Sequence, residues 1–246
     1  MPLEIVAVPA FTDNYIWIVH DSASGETAVV DPGDAAPAQA EAERRGWTVT
    51  QVWNTHHHWD HSGGNVEMKE AALNSGGGCT VAGPAAETIP GRDVALSEGS
   101  ELRIGEHRGR VLEIPGHTLG HLALHFEEAK VAFVGDTLFA MGCGRLFEGT
   151  AGQMHHSLQR LAALAPDTAL YCGHEYTLAN ARWAAHAEPE NQAIAERLAR
   201  VEALRSAGEI TLPTSVAEER ATNPFVRAGS VEEFARLRAD KDSFRS

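Results

Sequence analysis

The stretch Thr55-His56-His57-His58-Trp59-Asp60-His61, running on into Ser62-Gly63-Gly64-Asn65, decides how this chain reads. It follows the β-rich run Val49 to Trp53 and precedes a helical pattern over Asn65 to Asn74. That places it on a loop between a strand end and a helix start, where the chemistry of a rigid scaffold usually sits. Alternate side chains of an extended segment share a face, so His56 and His58 can converge on one ion while His57 points away. Asp60 and His61 can then serve a second ion beside the first. Imidazole with carboxylate is the donor set of zinc, iron or manganese, whereas a soft-metal site would want thiolates. A merely histidine-rich surface loop would meet these four positions by chance roughly a few times in a thousand, so a metal site is expected.

Working outward, three more donors stand at the ends of other β-rich runs: His117 in Ile114-Pro115-Gly116-His117-Thr118, Asp136 after the run from Val131, and His174 after Leu170 to Cys172. Seven N/O donors divide into two sites if Asp136 bridges. One site then holds His56, His58, His117 and Asp136, and the other Asp60, His61, His174 and Asp136. Two cations about 3.5–4 Å apart can lower the pKa of a shared water from near 16 to about 7 and polarise the oxygen it attacks, so the chemistry implied is hydrolysis. Asp60 and Asp136 are accordingly the catalytic candidates.

The rest of the chain bounds this reading. At 246 residues, 43% hydrophobic and 22% charged, it has the composition of a folded soluble protein, which excludes disorder, collagen and coiled coil. Twenty Lys and Arg against 34 Asp and Glu give a formal charge of -14, which repels a polyanion, so nucleic acid is not an expected partner. No apolar run approaches the roughly 20 residues that cross a bilayer, and the first residues lack the basic and apolar regions of a secretory leader. Cys79, Cys143 and Cys172 form no C-x-x-C pair and imply no disulfide framework, which suits a reducing cytoplasm. Cys143 is not expected to be a nucleophile, because no base pairs with it. His57 reads as a residue facing solvent or supporting a ligand from behind, and His121 and His125 as structural, with His121 a candidate partner of a ligand.

Short β-rich runs punctuated by Gly, Pro and Asp continue to about residue 174, with helical stretches over Ala36 to Arg45, Asn65 to Asn74 and His155 to Leu164. Thereafter the pattern turns helical. Ile194, Leu198, Val201 and Leu204 recur at spacings of three and four, and Ser230 with Glu233 predicts a capping box for a last helix burying Phe234 and Leu237. The expected division is a metal-binding domain over 1–174 and a helical domain over 175–246.

The motifs Thr-His-His-His-Trp-Asp-His, Gly-His-Thr, Gly-Asp-Thr and Gly-His-Glu, in that order, resemble those of the metallo-β-lactamase superfamily. The resemblance implies an α+β fold, an αββα sandwich. Within it, Gly135-Asp136-Thr137-Leu138-Phe139, the run from Gly142 to Thr150, Cys172-Gly173-His174-Glu175-Tyr176-Thr177, Asn223-Pro224-Phe225 and the terminal Arg238 to Phe244 resemble the hydroxyacylglutathione hydrolase (glyoxalase II) family over practically the whole chain. That likeness implies a thioesterase converting S-D-lactoylglutathione to D-lactate and glutathione on two divalent metal ions, zinc in the first place with iron or manganese as alternatives, ligated by the same seven residues. It also implies glutathione contacts at Arg145, Phe147, Tyr176, Arg238 and Lys241. Some members have Lys at 145 and Tyr at 147. Arg keeps the charge, but Phe147 lacks a hydroxyl donor. The expected partner is a small-molecule thioester bound by a monomer, with neither nucleic acid nor membrane. The competing reading keeps the fold and substitutes a glutathione persulfide dioxygenase with a single iron.

Overall fold

The β-rich runs ahead of residue 136 form strands in the computed structural model, which describes residues 3–245. The chain packs as two units: one runs up to Glu113 and includes Gly120–Gly135, and the other comprises Ile114–Leu119 and everything from Asp136. The second unit thus takes in residues on both sides of position 174.

In the first unit β1 (Glu4–Ala10), β2 (Asn14–His20), β3 (Thr27–Val30), β4 (Val49–Trp53), β5 (Thr80–Pro84) and β6 (Val94–Leu96) make one sheet in sequence order. Hairpin connections make β1 to β3 antiparallel, and β3 to β6 are parallel. Parallel neighbours need long crossovers. Here α1 (Ala35–Arg45) supplies the first, and the single turn α2 (Trp59–Ser62) with α3 (Asn65–Asn74) the second. Ala35, Ala38 and Ala42 of α1 and Met68 of α3 pack with Ile16, Ile18, Val29 and Val52 of the sheet. Every residue of β2 and β3 is buried, as befits strands covered on both faces.

A second, antiparallel sheet runs in the order β10 (Val131–Gly135), β9 (Leu122–Phe126), β8 (His107–Glu113), β7 (Glu101–Ile104). Trp53 of β4 stacks on Phe126 of β9 with ring centroids 5.4 Å apart, so the inner faces of the two sheets share a core. The loop after β4 and the end of β10 are therefore carried by strands with no freedom to drift.

Besides Ile114–Leu119, the second unit contains a hairpin of β11 (Leu138–Phe139) and β12 (Gly142–Cys143), followed by α4 (Ala151–Ala162) and β13 (Ala169–Cys172). Then come α5 (Thr177–Ala187), α6 (Gln192–Ser206), β14 (Thr214–Ser215), which pairs with β13, and α7 (Val216–Thr222), α8 (Pro224–Arg227) and α9 (Val231–Ser243). The period read from Ile194 is α6, which buries Ile194 and Val201. At α9, Ser230 accepts from the Glu233 amide as expected, but the Glu233 carboxylate reaches one residue further back, to the Gly229 amide at 2.9 Å. A buried Arg197–Glu219 ion pair at 2.8 Å ties α6 to α7, and Glu219 also accepts from the Met141 amide, which braces the β11–β12 turn. Among the described residues no helix is long and apolar enough to cross a membrane.

Candidate metal centre

The first unit gathers His56, His58, Asp60 and His61. Asp31, just past β3, turns back at φ 53, and its carboxylate accepts from the Thr55 amide at 2.8 Å and the Thr55 hydroxyl at 2.7 Å. An ionised carboxylate only accepts, so the Thr55 proton is committed to Asp31 and Thr55 Oγ1 must accept from His56 Nδ1, 3.0 Å away. His56 Nε2 then carries the ring's lone pair, and it faces His58 Nδ1 at 3.2 Å. Asp31 also lies 3.2 Å from His61 Nδ1, which makes that nitrogen the donor and directs His61 Nε2 toward Asp60 Oδ2 at 3.5 Å. Asn14 holds Asp60 in place by donating to Oδ2 at 3.0 Å and to its carbonyl at 3.3 Å.

The second unit gathers His117, Asp136 and His174. His117 Nδ1 donates to the Arg145 carbonyl at 2.9 Å, since a carbonyl can only accept, and this leaves Nε2 facing Asp136 Oδ2 at 3.4 Å. His174 Nε2 lies 3.3 Å from the same oxygen. One carboxylate oxygen between two imidazole nitrogens is the arrangement a bridging ligand needs.

Both half-sets share one chemical feature. With neutral rings, acceptor faces acceptor at His61 and Asp60 and at His117 and Asp136, while His58 and His174 bring a further ring nitrogen to within 3.2 Å of His56 and 3.3 Å of Asp136. A cation between them reconciles each pair, and tautomers fixed by a hydrogen bond behind the ring are the usual preparation of histidine for a metal. The donor set thus fits divalent metals, and its His and Asp clusters are compatible with a dinuclear site.

The remaining expected residues fall into two groups. Arg145 meets His117 through its carbonyl, the exposed Phe147 ring lies 5.2 Å from the His117 ring, and Tyr176 stacks on His174 at 4.7 Å and 5°. Each therefore adjoins a donor within its own unit. Arg238 is buried instead, with Nη1 on the Cys143 carbonyl at 3.0 Å, Nη2 on Asp242 at 2.7 Å and its guanidinium 5.0 Å above Phe225. Its charge is held inside the helical packing. Lys241 donates to the Ala179 carbonyl at 3.2 Å and lies 5.4 Å over Trp183. Burial, helped by the Arg238 charge and opposed by Cys143 and Asp242, pushes its ammonium down to about 8. Burial likewise pushes the Cys143 thiol up to about 11, which leaves it protonated at neutral pH and unsuited to attack.

Three contributors went unread in the sequence. Asp31 carries the signal used for Asp136, an acid just beyond a β-rich run, and that signal was there to be applied. Asn14 has none. Glu87, whose carboxylate stands 3.1 Å from His57 Nδ1 and accepts from the Gly120 amide at 3.0 Å, lies in a loop without pattern. His121 stacks on His56 at 4.6 Å and 18°, a ring packed directly behind a donor.

Histidine and aspartate donors set at the strand ends of two packed sheets define the metallo-β-lactamase class, and residues 10–174 match the metallo-beta-lactamase superfamily. Residues 175–244 match the hydroxyacylglutathione hydrolase C-terminus. The chain is 50% identical to a hydroxyacylglutathione hydrolase of Methylococcus capsulatus, with 99% of each covered. It is 52% identical to one of Ectopseudomonas mendocina, over 92% of this chain and 87% of that one. The chain belongs to the hydroxyacylglutathione hydrolase family. Among solved structures, ETHE1 from Myxococcus xanthus superposes with a TM-score of 0.74 at 25% identity, covering 100% of this chain and 93% of that one.

Proposed function

We propose that this chain hydrolyses S-(2-hydroxyacyl)glutathione thioesters, with S-D-lactoylglutathione and water giving D-lactate and glutathione, the second step of methylglyoxal detoxification. The observation that carries the reading is the joining of the seven-donor set to a helical C-terminal segment of the hydroxyacylglutathione hydrolase type. Two divalent cations, zinc by the borderline character of His and Asp donors, supply Lewis acidity toward the thioester carbonyl and acidify water into the neutral range. His56, His58, His117 and Asp136 would hold one, and Asp60, His61, His174 and Asp136 the other. Asp60, clamped by Asn14, orients the attacking water. The departing thiol has an ordinary pKa near ~8.5, so it leaves as thiolate without a strong general acid. Arg145 and Lys241 offer local positive charge to the glutathione carboxylates in a chain of net charge -14, and Arg238 acts from within by fixing the Cys143 carbonyl. The three cysteines are free and buried, which suits a reducing cytoplasm.

Lys241 makes the binding pH-dependent. Its ammonium is mostly charged at pH 7, half-charged near 8 and neutral above, so KM for S-D-lactoylglutathione is expected to rise between pH 7 and 9. Lys241→Arg, charged throughout, should flatten that rise, and steady-state kinetics across the range would show it. A wild-type KM that stays level would remove Lys241 from the thiol site. The function itself is tested by thiol release from S-D-lactoylglutathione by the metal-loaded protein. No release, with oxygen uptake on glutathione persulfide instead, would replace the hydrolase by the single-iron dioxygenase.

A further inference from the structure

Neither the metal donors nor their supports account for Phe11 and Trp59, aromatic side chains 49% and 69% exposed. Single exposed apolar residues are ordinary, but these two are in contact, with ring centroids 5.3 Å apart. Phe11 occupies the turn between β1 and β2 at φ 49, a left-handed conformation that a bulky residue seldom adopts, and such strain concentrates at functional sites. The same turn is fastened to the metal loop by the two Asn14 bonds to Asp60.

Bare backbone forms the floor beneath both rings. A Cβ at Gly33 would stand 2.8 Å from Phe11 Cε2 and 2.0 Å from the Asp60 carbonyl oxygen, and one at Gly63 would stand 2.8 Å from Trp59 Nε1. Glycine at these positions lets the rings settle against the chain next to a donor carboxylate. The result is a rigid aromatic shelf. Its chain neighbours carry no fixed cation: residues 11–14 and 57–63 contain Asp13, Asp60, His57, His58 and His61, and no Lys or Arg. A shelf of this kind offers no Lys or Arg to the carboxylates of glutathione and accepts a neutral, apolar group.

We infer that the Phe11–Trp59 shelf receives the acyl side chain of the thioester and makes this enzyme favour larger apolar acyl groups over lactoyl. The inference rests on the thioesterase reading above. Replacing the methyl of lactoyl by the phenyl of mandeloyl adds enough apolar surface for about a tenfold preference when one face is covered.

The test compares kcat/KM for S-D-mandeloylglutathione and S-D-lactoylglutathione in wild type, Trp59→Ala, Trp59→Phe and Phe11→Leu. The mandeloyl to lactoyl ratio should fall about tenfold in Trp59→Ala and be restored in Trp59→Phe. An unchanged ratio, or an equal fall for both substrates, would overturn the inference, and Phe11→Leu carries the comparison if Trp59→Ala fails to fold. Calorimetric affinity for S-hexylglutathione against S-methylglutathione reads the shelf without turnover. The longer chain should bind about tenfold tighter to wild type and lose that margin in Trp59→Ala, and equal affinity in wild type would overturn the inference. A wild type inactive on both thioesters that still prefers the hexyl probe would defeat the hydrolase reading and leave the shelf standing.

Discussion

Asp136→Asn is expected to lower kcat/KM for S-D-lactoylglutathione by about 10³-fold, equivalent to about 4 kcal/mol of transition-state stabilisation. Asp136 Oδ2 lies 3.4 Å from His117 Nε2 and 3.3 Å from His174 Nε2, so one oxygen serves both imidazoles. An amide keeps the shape but removes the negative charge and puts N–H where a second lone-pair oxygen stood, so the shared anion that would let two cations lie close together is gone. Metal analysis of the variant should accordingly fall below two ions per chain. Residue 136 is buried just past β10 and Asn has nearly the volume of Asp, so the fold should survive, as circular dichroism would verify. Activity within about tenfold of wild type, with two ions still bound, would show that Asp136 does not bridge.

Asp31→Asn is the second large effect. The carboxylate accepts from the Thr55 amide and hydroxyl and from His61 Nδ1, and through Thr55 it also sets the His56 tautomer. An amide can satisfy only part of this, so two donors of the metal loop lose the bonds that aim them. Outer-shell changes of this kind cost about 10–100-fold in metal affinity or activity. The distinguishing readout is rescue. Activity of Asp31→Asn should be weak at limiting metal and recover substantially with excess zinc, whereas a purely structural defect would stay depressed and lower the melting temperature.

The local pattern made this loop readable, because His56 and His58 need only an extended segment to share a face, and the single turn α2 carries Asp60 and His61 beside them. His117, Asp136 and His174 were readable as polar residues where apolar runs stop. What escaped is non-local. Asp31 shares with Asp136 its place just beyond a β-rich run, but its approach to the loop, like that of Asn14, comes from the pairing of β2, β3 and β4. Glu87 depends on a loop. The helices after residue 176 divide similarly: α6 shows a clear period and α9 a capping signal, while α5 is Ala-rich without a stripe and α8 is a single turn started by Asn223 and Pro224. Arg238 and Lys241 came only from resemblance. Their charges look alike in a sequence, and burial separates them, since Arg238 is occupied by Cys143 and Asp242 while Lys241 lies half-buried over Trp183.

The most direct measurement is a metal titration of apo-protein with zinc, following thiol release from S-D-lactoylglutathione against ions bound per chain. Hydrolysis that rises with zinc and levels off at two ions per chain is the expected result. Saturation at one ion, or full zinc loading without thiol release, would contradict a two-metal thioesterase.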